Sequence, residues 1–231
     1  MSDGGVDIPR LLGVYVLLPL IAYVIGSTPF GFLLGRLRGK DLRKEGSGNV
    51  GATNVGRVLG SGWGYLCFLL DVTKGLVPVL VVGAWMRDQA NQGPPPAAGQ
   101  LCWLLVGTGA IAGHVFTFWL KFKGGKGVAT ALGVVLGVFP YFTWVGLTAL
   151  GVWIVVTLIS RYVSLGSIVA AVAFWPLFAM YAVLNGWSLR ALWPLGTFAG
   201  VMVVLIIVRH SSNIGRLLKG TENKIGQSKP T

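Results

Sequence analysis

The sequence has few charged residues and even fewer acidic ones. Asp, Glu, Lys and Arg make up 11% of the 231 residues, less than half of the roughly 25% that is typical of a soluble domain. Apolar residues make up 54%, and the mean hydropathy is +0.72. Disordered chains are poor in apolar residues, and the 35 glycines show no collagen period. The composition therefore indicates a helical membrane protein with a single domain over residues 1–231.

Cysteines and metal-binding clusters are also scarce. Cys67 and Cys102 lie in apolar stretches, without a Cys-x-x-Cys motif or a Cys/His cluster. Neither a disulfide framework nor a zinc site is predicted. The sequence contains no cluster of aspartates suited to Mg²⁺. We therefore expect neither a metal nor a cofactor.

Nearly uncharged runs predict seven membrane-spanning helices. A span needs about 20 residues to cross a hydrocarbon core roughly 30 Å thick. The run 127–160 is too long for one crossing, and Pro140 divides it into a short helix and a second helix. The predicted spans are 11–34, 61–86, 101–120, 127–139, 142–159, 163–184 and 191–208. The expected fold class is an all-α polytopic membrane protein in which some helices are short or broken.

The distribution of Lys and Arg predicts the orientation. With seven spans and the N-terminus outside, 15 of these residues fall on inner segments, and only Arg10, Arg87 and Arg190 fall outside. With six spans, ten of these residues fall on inner segments and eight on outer ones. The positive-inside rule favours seven spans, with the N-terminus out and the C-terminus in. The net charge of +12 is then a result of topology, and nucleic-acid binding is not expected because the cations are spread over separate loops.

One inner segment, Gly46–Arg57, combines glycines, hydroxyls, amides and a cation. Glycines allow backbone N–H groups to converge on an anion, and Arg57 carries a guanidinium suited to phosphate. The alternative is a glycine-rich turn between helices. The segment also spells G-x-G-x-x-G, but a dinucleotide site needs a preceding strand, which is absent. The predicted phosphate-site residues are Ser47, Gly48, Asn49, Gly51, Thr53, Asn54 and Arg57.

A second inner segment, Lys121–Thr130, opens into the short predicted helix. Free N–H groups at a helix start, together with the ammonium of Lys126, form an anion site. The segment is not a Walker A loop, because Gly127 stands where Ser or Thr follows the lysine. The alternative is a basic loop that obeys the positive-inside rule. The candidate residues are Gly124, Gly125, Lys126, Gly127 and Thr130.

Two further inner segments carry weaker signals. One offers hydroxyls and a cation at a helix junction, at Ser160, Arg161, Ser164 and Ser167. The other holds His210 and Asn213, which share a face if the last helix continues. A histidine in this position is equally often a partner of the helix dipole.

Asp71 and Lys74 are charged residues inside an apolar run. Their i,i+3 spacing predicts an ion pair, because unpaired charges within a membrane are costly. We expect a supporting structural role for this pair. His114 precedes the Lys126 segment and is expected to be a buried histidine with its hydrogen bonds satisfied.

In these segments the chain closely resembles the bacterial acyl-phosphate:glycerol-3-phosphate acyltransferase (PlsY) family. The resemblance covers nearly the whole chain, and it rests on residues 26–31, 46–57, 71–75, 113–114, 121–130, 160–167 and 209–213. It implies seven membrane helices with active-site segments on the cytoplasmic face of the bacterial inner membrane. It also implies transfer of an acyl group from acyl phosphate to glycerol 3-phosphate, which gives lysophosphatidic acid. The catalytic residues that it implies are Ser47, Arg57, Lys126, His210 and Asn213.

The residues support such a reaction. The predicted phosphate-binding segments adjoin membrane helices, which can hold the fatty chain of the acyl donor between them. A G-x-S-x-G motif is absent, and so is the His-x4-Asp motif typical of acyl-CoA-dependent enzymes. We expect direct attack of the hydroxyl without an acyl-enzyme. The proton goes either to His210 or to a phosphate oxygen of the donor.

A transporter or flippase for a phosphorylated solute or lipid is the alternative function. Short broken helices and inner anion sites fit it, but it also predicts inverted-repeat symmetry and polar outer segments, which the sequence lacks. The expected partners are the two substrates and membrane lipid, with no obligate protein partner.

Overall fold

The computed structural model describes residues 12–88 and 94–225, and all regular secondary structure in these ranges is helical. A π-helical turn at Gly13–Leu17 leads into the first helix, and a 3₁₀ turn occupies Phe118–Leu120. The α-helices are α1 Leu18–Gly26, α2 Phe30–Leu37, α3 Ala52–Leu59, α4 Ser61–Asp88, α5 Ala97–Val115, α6 Val128–Gly137, α7 Thr143–Ser160, α8 Val163–Leu184, α9 Trp193–Arg209 and α10 Ser211–Leu218.

The apolar helices occupy the seven predicted regions. Five helical stretches are long and apolar enough to cross a membrane: Gly13–Leu37, Ser61–Met86, Ala97–Leu120, Thr143–Ser160 and Val163–Leu184. Helices α9 and α10 form a further stretch bent by 56°, and α6 is a shorter apolar helix. The all-helical membrane fold is therefore confirmed, while the number of crossings and the orientation stay predictions. Arg10 and the predicted start of the first span at residue 11 lie outside the described residues.

The first predicted span is broken, which corrects the continuous helix expected over 11–34. Helix α1 ends at Gly26 and α2 begins at Phe30, because Pro29 has no N–H to continue the ladder. Two carbonyl oxygens in the break accept side-chain hydrogen bonds. Thr117 Oγ1 donates to Ser27 O at 2.6 Å, and Lys74 Nζ donates to Thr28 O at 2.8 Å. The break is thus held by Lys74 of α4 and by Thr117, which lies just after α5.

Glycines allow the helices of the first half to pack backbone against backbone. A methyl group at Gly26 would collide with the backbone of Ala110, which places α1 directly against α5. A methyl group at Gly75 would collide with the carbonyl of Thr130, and one at Gly133 with that of Val72. Small residues at helix interfaces are the usual means of close packing in membranes. Helices α4 and α6 therefore lie in close contact, which fixes where α6 begins.

Candidate active site

A cavity of about 320 Å³ opens among the helices from α3 to α10. One end is polar and the rest is lined mainly by apolar side chains. All five predicted catalytic residues line it, and they come from segments far apart in sequence: Ser47, Arg57, Lys126, His210 and Asn213. The structure therefore brings the predicted group together, although their roles remain proposals.

Helix α3 carries Arg57 at the polar end of the cavity. The sequence predicts a loop throughout 46–57, but residues from Ala52 onward are helical, which corrects that expectation. Val55 is fully buried in a cluster with Leu42 and Cys67. This apolar anchor holds α3 against α4 while Arg57 lines the cavity.

Asn54 organises the loop that precedes α3. Its Oδ1 accepts a hydrogen bond from Ser47 N at 2.8 Å, and its Nδ2 donates to Leu42 O at 3.2 Å and to Glu45 O at 3.1 Å. The side chain is 2% exposed, and both ends of its amide are engaged. Asn54 therefore shapes the backbone at Ser47, and its direct contact with phosphate stays a prediction.

Several glycine N–H groups predicted to be free for an anion already have partners. Gly48 N donates to Glu45 O at 3.0 Å, and Gly51 N donates to Asn49 Oδ1 at 2.8 Å. Gly124 N donates to Val115 O at 3.0 Å, and Gly125 N donates to His114 O at 3.2 Å. The prediction of free N–H groups at these glycines is wrong, because the local fold uses them.

The glycine pair before Lys126 is needed for a close approach to the end of α5. A methyl group at Gly124 would collide with the carbonyl of His114, and one at Gly125 would collide with its imidazole. The backbone before Lys126 thus rests directly on His114. Gly127 then adopts a left-handed φ of +86° and starts α6, which glycine tolerates without cost.

Lys126 lies beside the N-terminus of α6 and faces α10. Its Nζ donates a short hydrogen bond to Asn213 Oδ1. Gly127, Val128 and Ala129 line the same cavity, and the N–H groups of a first helical turn have no partner within their helix. Burial lowers the pKa of Lys126 to about 8; the charge of Glu222 opposes this shift, and the charges of Arg216, Arg209 and Arg57 add to it. An ammonium and a helix N-terminus therefore meet at one point of the cavity.

His210 lies at the bend between α9 and α10. Its Nδ1 is 2.8 Å from Ile206 O, and a carbonyl only accepts, so Nδ1 carries the proton and Nε2 has the free lone pair. Burial lowers its pKa to about 4, and the charge on Lys126 adds to this. The imidazole is therefore neutral at pH 7.

Two charged residues at this end were missed by the sequence reasoning. Glu222 Oε2 accepts from Arg216 Nε at 2.7 Å, and Glu222 Oε1 accepts from Asn213 Nδ2 at 2.6 Å and from Ser164 Oγ at 2.8 Å. Burial alone would raise the pKa of Glu222, but these hydrogen bonds hold it below its ordinary value. Arg216 is three residues after Asn213 on α10, a spacing that could have revealed it.

The segment after α10 is docked on the junction of α7 and α8. Ile225 N donates to Arg161 O at 2.8 Å, and Arg161 Nη2 donates to Ile225 O at 3.0 Å. Lys224 lies over the Tyr162 ring, 5.4 Å from its centroid. Arg161 thus anchors this segment.

Some predicted substrate-binding residues do not line the cavity. Those that line it are Asn49, Gly51, Thr53, Asn54, Gly127, Ser164 and Ser167. Those outside its lining are Gly48, Gly124, Gly125, Thr130, Ser160 and Arg161. Thr130 is fully buried against α4, and Ser160 Oγ bonds Val156 O at 2.6 Å within its own helix. This second group lies in the segments around the cavity, and its contact with substrate stays a prediction.

The charged pair in α4 forms a buried cluster with His114. Lys74 Nζ is 2.8 Å from Asp71 Oδ1, and His114 Nδ1 is 3.6 Å from the same oxygen. Lys74 also holds the α1–α2 break, and His114 contacts the backbone of the glycine pair just before Lys126. Asp71 and His114 themselves line the cavity, so the cluster connects these two structural elements to the site. Within residues 12–88 and 94–225, no group of His, Cys, Asp or Glu side chains is placed to hold a metal ion.

Comparison with known proteins places this architecture in a family. A sequence model described as glycerol-3-phosphate acyltransferase matches residues 16–220. The chain belongs to the glycerol-3-phosphate acyltransferase (PlsY) family. The glycerol-3-phosphate acyltransferase of Geobacter sulfurreducens is 47% identical over 213 residues, covering 90% of this chain and 96% of the relative. That of Thermosynechococcus vestitus is 42% identical over 215 residues, covering 92% and 95%.

Solved structures agree with the sequence relatives. The crystal structure of PlsY, an integral membrane glycerol 3-phosphate acyltransferase in its glycerol 3-phosphate form, superposes with a TM-score of 0.77 at 39% identity. It covers 93% of this chain and 96% of that one. The lysophosphatidic acid form gives a TM-score of 0.76 at 38% identity. This membership favours an acyltransferase over the transporter alternative.

Proposed function

We propose that this acyltransferase moves an acyl group from acyl phosphate to glycerol 3-phosphate, forming lysophosphatidic acid and inorganic phosphate for phospholipid biosynthesis. One observation carries the proposal: a single cavity joins a cationic head-group end to an apolar channel. Such a cavity suits one reactant with a phosphate and a fatty chain, and a second reactant with a phosphate alone.

The polar end has the charge needed for phosphate groups. Arg57, Lys126 and Arg216 line it together with the carboxylate of Glu222, and the second carboxylate of the lining, Asp71, is paired with Lys74. A guanidinium binds phosphate through two parallel hydrogen bonds, and an ammonium acts as a point charge. The N-terminus of α6 adds backbone donors. These groups would hold the two phosphates close together, which lowers the entropic cost of the encounter.

The proposed chemical step is direct attack. The glycerol 3-phosphate hydroxyl oxygen bonds to the acyl carbonyl carbon, and the bond from that carbon to the phosphate oxygen breaks. Inorganic phosphate leaves with the electron pair, and Lys126 and Arg57 stabilise its charge and the transient oxyanion. The hydroxyl proton passes to His210 Nε2 or to a donor phosphate oxygen. Ser47 lines the same end and contributes a hydroxyl for orienting a reactant.

The proposed location is the bacterial inner membrane, with the polar end on the cytoplasmic side. The basic inner segments support it, because Lys and Arg favour the cytoplasmic side of a membrane. The lining residues of the polar end belong to those same segments, and we propose that no cofactor takes part.

A donor-specific assay tests the proposal. Purified protein is mixed with glycerol 3-phosphate and either acyl phosphate or acyl-CoA, and inorganic phosphate and lysophosphatidic acid are measured. We expect product with acyl phosphate and none with acyl-CoA. Product from acyl-CoA alone, or from neither donor, contradicts the proposed reaction.

Variants of the two cations test the assigned roles. We expect Lys126→Ala and Arg57→Ala each to lower kcat/KM by about 10²–10³, the cost of losing one preorganised donor to developing charge. Lys123→Ala is the matched control, because Lys123 is an exposed cation near Lys126 outside the cavity lining. Near-normal activity of both cation variants overturns the roles, and an acyl group found on Ser47 by mass spectrometry after rapid quenching overturns direct attack.

A further inference from the structure

The apolar part of the cavity follows defined faces of α8 and α9. On α8 the lining continues from Ser164 through Ala171 to Phe174. Phe174 lies ten residues beyond Ser164, about 15 Å along a helix. Along α9 the lining extends from Phe198 toward His210, which follows the end of the helix about 18 Å away. The two faces therefore end at similar depths below the head-group end.

An aromatic cluster closes the cavity at that depth. Phe142, at the start of α7, is fully buried behind the two lining rings. Its ring centroid is 5.2 Å from that of Phe174, nearly edge-on at 78°, and 6.2 Å from that of Phe198 at 23°. We call Phe142, Phe174 and Phe198 the aromatic plug. The next residues outward on the same faces, Phe178 and Leu195, are 2% and 0% exposed, and they separate the plug from an open groove on the far side that Phe178 also lines.

The depth of the plug matches one leaflet of a bilayer. A hydrocarbon core of roughly 30 Å gives each leaflet about 15 Å. We infer that the aromatic plug stops the terminal methyl group of the acyl chain and so sets an upper limit on donor chain length. This inference rests on the proposed function, because it takes the occupant of the cavity to be the acyl chain of the donor.

The physical basis is the stiffness of a packed wall. Interlocked aromatic rings do not yield to an extra methylene without strain. A chain that is too long must bend back or leave methylenes outside the cavity. One methylene in a hydrophobic pocket changes specificity by 10-fold or more. Chain length should therefore have a sharp upper limit rather than a gradual decline.

Substitutions at the plug and in the channel wall test the limit. Initial rates are measured with lauroyl, palmitoyl, stearoyl and arachidoyl phosphate. For the shortest donor that exceeds the wild-type length limit, we expect Phe174→Ala to raise kcat/KM about 10-fold. This rise is measured relative to kcat/KM for the longest donor that the wild type accepts. We expect Ala171→Leu to move the limit to shorter chains, since Ala171 lines the channel at a shallower level.

Phe178→Ala is the matched control. It removes a ring that also packs on Phe142, with centroids 5.2 Å apart, but Phe178 does not line this cavity. It therefore loosens the same cluster from the far side. We expect thermal stability to fall in Phe178→Ala and Phe174→Ala alike, while the length limit moves only in Phe174→Ala.

A binding measurement separates this inference from the proposed reaction. Lysophosphatidic acids of the same chain lengths are added, and the rise in melting temperature is recorded. If the wild-type protein does not use acyl phosphate, the proposed function is wrong. The plug is still supported if the longest lysophosphatidic acid that raises the melting temperature is longer for Phe174→Ala than for the wild type. The plug is overturned if the limit in Phe174→Ala equals that of the wild type, if Phe178→Ala shifts it equally, or if stabilisation does not depend on length.

Discussion

The side chain of Lys126 titrates close to physiological pH because it is buried beside other cations. Its pKa is lowered to about 8, so the ammonium is charged below that pH and neutral above it. The buried His210, with a pKa lowered to about 4, is neutral throughout the same range. The charge at the polar end therefore changes mainly through one residue near pH 8.

A pH profile tests this assignment. We expect kcat/KM for glycerol 3-phosphate to fall as pH rises through about 8, because the neutral amine no longer attracts phosphate. Lys126→Arg should remove that decline, since a guanidinium stays charged to well above pH 12. An identical alkaline decline in Lys126→Arg and the wild type would assign the titration to another group.

At the scale of helices, the hydropathy pattern predicts most of the fold. A membrane requires long apolar runs for each crossing, and Pro140 correctly divides the run 127–160 into α6 and α7. The pattern misses α3, because an eight-residue helix that contains Gly56 and Asn54 has the composition of a turn. Short amphipathic helices depend on tertiary contacts, here the burial of Val55, which local sequence does not record.

The site is predicted only in part for a similar reason. Lys126 and Arg57 stand out because they are cations among glycines. Glu222 contacts Ser164 across 58 positions, and no local spacing indicates such a contact. The acceptors of the N–H groups of Gly124 and Gly125 lie on α5. The local sequence does not indicate these hydrogen bonds either.

The close contact between His114 and Gly125, the residue before Lys126, predicts the effect of adding a single methyl group. Gly125→Ala would place the methyl against the imidazole and displace Lys126. We expect activity to fall roughly 10–100-fold, since a shift of about 1 Å in a positioned group has effects of this size. The measurement is kcat/KM for glycerol 3-phosphate together with the melting temperature.

Gly151→Ala is the control for that substitution. Gly151 lies on α7 with open space around its Cα, so both activity and stability should stay near the wild type. Normal activity in Gly125→Ala would show that the contact with His114 does not position Lys126.

Across the whole molecule, Glu222 connects the segment after α10 to the helices around the cavity. Glu222→Ala leaves Asn213 Nδ2 and Arg216 without their shared acceptor. We expect kcat/KM to fall 10-fold or more, because Asn213 is then free to turn its oxygen away from Lys126. Glu222→Gln should recover part of the activity, while Lys219→Ala, an exposed cation in the same region, should change little.

A double variant distinguishes positioning from general destabilisation. If Glu222 acts through Asn213, the Glu222→Ala and Asn213→Ala effects are not additive, and the double variant is about as active as Asn213→Ala alone. Additive losses would show that Glu222 acts independently of Asn213.

The orientation of the molecule is tested by labelling introduced cysteines. The native Cys67 and Cys102 are buried, so new surface thiols dominate the signal. In intact cells, an impermeant maleimide should label Ser188→Cys, in the predicted outer connection between α8 and α9, and should leave Lys44→Cys unlabelled. The reverse pattern would place the polar end outside the cell and overturn the proposed location.

The hydrogen bond from Asn213 to Glu222 also has a consequence for biosynthesis. Ser47 leaves the ribosome early, whereas Glu222 follows only after all the membrane helices have been made. The polar end is therefore incomplete in every nascent intermediate. Full activity should therefore begin only after the segment that carries Glu222 has been made.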